Sequence, residues 1–227
     1  MKFKWVLYFL LVSLGAIAQQ KEIDWDAVDS LYREDQFYLK FSYNSLQNKP
    51  SGVTQNKISY GTSLGFLRDM PINKNRTVSI AAGLGYSLDV YNHNLGISQQ
   101  DGKYVYQVLD VYSINKMTSH YVDIPIEFRW RNSTPESHKF WRVYPGIKIS
   151  YLFYDQYKLV APNVNYKISN NTDLNKLQYG VSLAVGWNTW NFYAYYGLNP
   201  IFKSSAHLDN QPIKMHTANF GMMFYIL

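Results

Sequence analysis

Along most of the chain, apolar and polar side chains alternate with a period of two, not 3.6. That pattern predicts strands whose two faces meet different surroundings. Phe37, Leu39, Phe41 and Tyr43 alternate with Tyr38, Lys40, Ser42 and Asn44. The same alternation runs from Ile58 to Phe66, Val78 to Leu88, Val122 to Trp130, Val143 to Phe153, Leu177 to Trp187, Phe192 to Leu198 and Ala218 to Ile226. Each of these eight segments approaches the roughly 9–11 residues that a tilted strand needs to cross a bilayer. Odd-numbered connections are longer than even ones, and tight turns are expected at 68–76, 132–140 and 188–191. Short turns at one end and long loops at the other, with both termini at the short-turn end, mark an even-stranded membrane barrel. The expected fold is all-β: an eight-stranded antiparallel up-and-down transmembrane β-barrel preceded by a short N-terminal periplasmic helical segment.

Alternation alone does not say which face points outward, because a soluble lipocalin-like barrel alternates with its apolar face inside. Three features favour apolar-out. The second face mixes Gly, Ser and Ala with charges of both signs, and an eight-stranded barrel has interior space only for side chains. Bulky Arg129 and Tyr195 therefore need small residues opposite them. Trp130, Trp141, Trp187 and Trp190 fall beside the second and third tight turns, as an aromatic girdle at one membrane interface would. The third feature is the start of the chain. Lys2 and Lys4, the apolar run Trp5 to Leu14 and the small-x-small Ala16-Ile17-Ala18 read as a secretory signal peptide, residues 1–18. The expected domains are then a periplasmic N-terminal segment, 19–35, and an outer-membrane barrel, 36–227.

Composition narrows the chemistry. The absence of cysteine excludes disulfides, thiolate metal sites and a cysteine nucleophile. Mean hydropathy is −0.28, and no apolar run of helical-span length follows the leader. The load of 21 Tyr, 12 Phe and 6 Trp suits interfaces. A net charge of +6 is spread through strands and turns with no basic block, so nucleic acid is not an expected partner. The segment 19–35 is acidic, and Trp25, Val28, Leu31 and Tyr32 recur at helical spacing. It reads as a short amphipathic helix, either packed on the barrel rim or docking a periplasmic partner.

Asp123, Glu127 and Arg129 share the inner face of one strand, with Arg142 and Lys148 on the inner face of the next. They are expected to form an interior ionic network that fills the lumen, in preference to a conduction path. The closing stretch places Asn219, Gly221, Phe224 and Ile226 in a polar-x-Gly-x-x-apolar-x-apolar pattern. It resembles the C-terminal signal read by the barrel-assembly machinery. The connection from Asp89 to His120 carries a Gln-Asp-Gly centre between alternating apolar residues and predicts a hairpin above the membrane. Ser119–His120 and Ser205–His207 are close in sequence, but nucleophilic catalysis needs serine, base and orienter within hydrogen-bond reach. No catalytic residue, cofactor or metal site is expected. The alternatives are a lipid-modifying enzyme with His120 or His216 as base, and a narrow channel or adhesion barrel.

The stretches SLYREDQFYLKFSYN, GFLRDMPINKNR and AAGLGYSLDVYNHNL together resemble the PorT-like outer-membrane β-barrels associated with type IX secretion. That resemblance implies a non-enzymatic outer-membrane component that supports protein secretion. Its implied partners are outer-membrane lipid, the barrel-assembly machinery and other envelope or secretion proteins. The family's texture brings no catalytic residue to carry over.

Overall fold

The computed structural model describes residues 34–132 and 141–226; the expected signal peptide, nearly all of the segment 19–35 and the turn 133–140 lie outside them. Among the described residues the strands are β1 (Gln36–Gln47), β2 (Tyr60–Pro71), β3 (Val78–Asn92), β4 (Leu95–Gln100), β5 (Lys103–Val108), β6 (Ile114–Arg131), β7 (Trp141–Ala161), β8 (Val164–Ser169), β9 (Leu177–Trp187), β10 (Trp190–Gly197), β11 (His207–Leu208), β12 (Gln211–Pro212) and β13 (His216–Ile226). Eight of them, β1, β2, β3, β6, β7, β9, β10 and β13, pair antiparallel with their sequential neighbours. The ring closes where β1 meets β13, from Phe37 opposite Ile226 to Gln47 opposite His216. Closure leaves no unpaired strand edge, which a bilayer would not tolerate.

The alternation resolves as apolar-out. Phe37, Leu64, Leu84, Phe192 and Phe220 stand exposed on the outer wall, Phe192 at 72 %. Lys40, Asp69, Asp123, Arg129 and Arg131 lie inside, with Arg129 and Arg131 at 0 %. A soluble barrel would reverse these figures. The interior is packed by pairing large side chains with glycine. A Cβ on Gly180 would sit 2.6 Å from the Tyr195 ring, and one on Gly85 would strike the Tyr38 hydroxyl.

The long-loop end carries its own core. The hairpin β4–β5 turns on Asp101 and Gly102, both at positive φ (48° and 76°), the geometry that a two-residue Asp-Gly turn supplies. It folds down over the barrel mouth. Leu95, Ile97 and Tyr106 pack with Leu46, Tyr91, Met117, Tyr157, Phe202 and Met215 in one buried cluster. Tyr166 donates its hydroxyl to the Ile97 carbonyl at 2.8 Å, tying β8 to the hairpin. The hairpin therefore caps the barrel.

The structure shortens one expected turn and adds two short pairings to the long connections. The first tight turn is shorter than 68–76: β2 runs to Pro71, so Asp69 is a strand residue facing the lumen, and the turn is 72–77. The connection between β7 and β9 is not plain loop, because β7 continues to Ala161 and pairs with β8. The connection between β10 and β13 likewise holds a small hairpin, β11–β12.

Candidate functional site: an ion-paired lumen under a lysine-rich cap

Residues of one strand face project into the lumen every second position, so charges from neighbouring strands meet there in layers. At the short-turn end Asp69 is the hub. It accepts from Arg131 at 2.9 and 3.1 Å, from Arg129 at 3.2 Å and from the Ser79 hydroxyl at 2.6 Å. Arg129 also donates to Glu127 at 2.9 Å, and Glu127 accepts from the Tyr225 hydroxyl at 3.1 Å. Glu34, just before β1, lies 3.6 Å from Arg131. Burial pushes the Glu34 carboxyl up from its ordinary range, against the opposing pull of Arg131. Arg129 stacks over Tyr144 and Tyr225 at 4.9 and 5.6 Å.

Mid-barrel, Lys148 approaches Asp123 at 3.5 Å. Lys40 lies over the Tyr193 ring at 4.6 Å, and Lys148 over Tyr195 at 4.5 Å. Above them Asn44 donates to Asp89 at 2.8 Å. Among the described residues the buried interior thus holds six carboxylates, Glu34, Asp69, Asp89, Asp123, Glu127 and Asp155, against five cations, Lys40, Arg129, Arg131, Arg142 and Lys148. Close pairing of opposite charges is what burial in low dielectric demands.

The five residues expected to form one ionic network are all inside, but the ion pairs among the described residues fall into two groups. Lys148 pairs with Asp123, whereas Arg129 and Glu127 belong to the Asp69 cluster. Sequence reasoning missed Asp69, Arg131 and Glu34. Asp69 was hidden inside an apparent turn motif, and Glu34 inside an acidic stretch that looked like a docking surface. The period-two count from Leu67 through Asp69 was the available signal.

The lumen is filled. Two cavities between these layers measure about 20 Å³ and 10 Å³, enough for about one water each. Lys148 borders both.

On the outer wall, Trp130, Trp141, Trp187 and Trp190 are 44–64 % exposed at the short-turn end, with the Trp141 and Trp187 rings 5.4 Å apart. Asn219 is buried in the lumen; Phe220 and Ile226 face out. The histidines do not assemble a catalytic chain among the described residues. Ser119 points inward and His120 outward, as neighbours on a strand must. His120 instead bonds Tyr86 at 2.7 Å, and His216 bonds the Gly197 carbonyl at 2.8 Å. Ser205 donates to Asp173 at 3.3 Å, while the His207 ring hydrogen-bonds the Ser205 carbonyl at 2.9 Å.

The cations divide by type between the two ends. Among the described residues Arg68, Arg76, Arg129, Arg131 and Arg142 all lie toward the short turns. The long-loop end carries Lys49, Lys57, Lys103, Lys116, Lys158, Lys167, Lys176, Lys203 and Lys214, none buried, against Asp101, Asp110, Asp173 and Asp209.

Residues 17–203 match the family profile described as an outer membrane protein beta-barrel domain, and the chain belongs to that family. It is therefore an outer-membrane β-barrel. No curated protein matches the sequence. Among solved structures, Ail, the attachment invasion locus protein of Yersinia pestis, is 11 % identical over 86 % of this chain and 100 % of that one, with a TM-score of 0.39. Ail in complex with the heparin analogue sucrose octasulfate is 13 % identical over the same shares, with a TM-score of 0.40.

Proposed function

We propose that this outer-membrane barrel is a non-catalytic anchor and scaffold, an accessory component of protein secretion of the type IX kind. The observation that carries the reading is a lumen closed by side chains and roofed by a packed cap. A barrel so filled has no wide path for solute, and its ordered extramembrane surface is what it offers to other molecules. The likeness of the segments 30–44, 65–76 and 81–95 to PorT-like proteins supports secretion as the setting. The same proposal includes a leader removed after Ala18 and insertion by the assembly machinery through β13. Partners are other envelope or secretion proteins.

The test is cross-linking and affinity purification in mild detergent, joined to a secretion assay on a strain lacking the gene. Envelope partners and reduced secretion are expected. Intact secretion with altered lipid A by mass spectrometry would overturn the reading in favour of a lipid-modifying enzyme. In planar bilayers the purified protein should give no stable open conductance, and reproducible large steps would overturn the closed lumen. A second reading, an attachment barrel, is favoured by the excess of lysine at the long-loop end. It predicts adhesion lost on deletion while secretion is unchanged.

A further inference from the structure

Three of the outer-end lysines are not scattered. Lys116 on β6 stands directly opposite Lys158 on β7, and Lys158 stands directly opposite Lys167 on β8. All three occupy the outward face: their neighbours Met117, Tyr157, Tyr166 and Ile168 turn to the cap core, and strand side chains alternate. Directly opposed like charges destabilise a sheet, so a row of three is not there for the sheet's own benefit.

Among the described residues no carboxylate adjoins the row in the sheet. Its other register neighbour is Asn92. One step toward the loops the outward positions are Ile114, Val160 and Asn165; one step toward the membrane they are Thr118, Gln156 and Ser169. None is a carboxylate. The ion pairs found among the described residues are all lumenal, and none includes these lysines.

Height on the wall identifies what meets the row. Below it the same face carries His120, Tyr154, Tyr86 and Phe153 in mutual ring contact, and then the apolar stretch from Val122 to Trp130. Ten residues separate His120 from Trp130, which at strand rise and barrel tilt is about 25 Å, the height of a membrane barrel's apolar band. The lysines stand four residues beyond His120, about 10 Å above that band by the same measure. A group reaching them laterally is in the headgroup layer of the outer leaflet, not in the medium above the cap.

We propose that Lys116, Lys158 and Lys167 form a binding site for the phosphate groups of a phosphorylated glycolipid in the outer leaflet. Lysine suits this role, being a compact point charge that engages phosphate without requiring the planar geometry of a guanidinium. The acyl chains of such a lipid would lie on the aromatic and aliphatic wall directly beneath. The proposal stands independently of the scaffold reading, since any barrel in this membrane meets the same lipid.

The test reconstitutes the full chain in mixed vesicles containing phosphorylated glycolipid and its enzymatically dephosphorylated form, extracts the protein in mild detergent, and measures retained lipid by native mass spectrometry. Wild type should favour the phosphorylated form by at least about tenfold, a scale set by three cations at a charged surface. The triple variant K116Q/K158Q/K167Q should lose that preference, and K116R/K158R/K167R should keep it. A control, K103Q/K203Q/K214Q, removes the same charge from the loops and should leave the preference intact. Heat-modifiable migration confirms that each variant is folded. Equal retention of both lipids by wild type, or equal loss in the control, overturns the proposal. So does binding of a soluble polyanion that is abolished by the triple substitution while lipid retention is unchanged.

Discussion

Arg131 grips Asp69 with both terminal nitrogens, at 2.9 and 3.1 Å, across 62 residues of sequence and wholly inside the barrel. Asp69 also takes Arg129, so one carboxylate offsets two buried guanidinium groups. Asp69→Asn keeps the shape and removes the charge. Breaking a buried pair from one side costs about 3–5 kcal/mol. The variant should unfold from vesicles at clearly lower urea than wild type, while an outer-wall change such as Leu84→Ile leaves the midpoint nearly unmoved.

Tyr38 fills the space that Gly85 leaves open, and its hydroxyl occupies the place of a Cβ there. Gly85→Ala should destabilise the barrel by about 1–3 kcal/mol, the usual cost of overpacking. Tyr38→Ala clears the obstruction, so the double variant should be less destabilised than the two singles added together. A coupling above about 0.5 kcal/mol in equilibrium unfolding would show it.

The seam between β1 and β13 includes Leu39 opposite Phe224 and Phe37 opposite Ile226. Deleting 224–227 removes the last turn of pairing at the short-turn end and the end of the terminal apolar pattern. Membrane assembly of the truncated chain should fail, seen as loss of heat-modifiable migration and degradation in the envelope. Normal migration would show that β13 closes without its last residues.

His93 sits in the cap between β3 and β4, 1 % exposed. Burial pushes its imidazole down to about 4, although the Leu95 backbone pulls the other way. The unfolded ring takes up a proton as pH falls through about 6.5, while the folded ring stays neutral until about 4. Between those values the unfolded cap binds more protons, so cap stability drops as pH falls and is fully present above about 6.5. The limit of this effect is on the order of 3 kcal/mol. The hydrogen-exchange protection factor of the β4–β5 hairpin, taken against the intrinsic rate at each pH, should fall between pH 7 and pH 4.5, and His93→Gln should flatten that dependence.

The Trp130–Trp190 girdle, the layered lumen and the closing strand follow from alternation and from where tryptophan and glycine fall, because both are local patterns. The hairpin at Asp101–Gly102 was legible for the same reason: two adjacent residues specify its turn. The fate of that hairpin was not. Whether Leu95 and Ile97 face solvent or the barrel mouth depends on Tyr166, Phe202 and Met215, which lie far along the chain.

The sequence by itself determined an eight-stranded barrel, its apolar-out sense and, through the absence of cysteine, its exclusion from thiol chemistry. A period of two constrains each strand's faces regardless of what pairs with it. Only the tertiary structure decided which charges meet. It split Asp123 and Lys148 from Glu127 and Arg129, and brought in Asp69 and Glu34. It also set Lys116, Lys158 and Lys167 side by side. Cross-strand register fixes those neighbours, and register is a property of paired strands that no single strand's pattern contains.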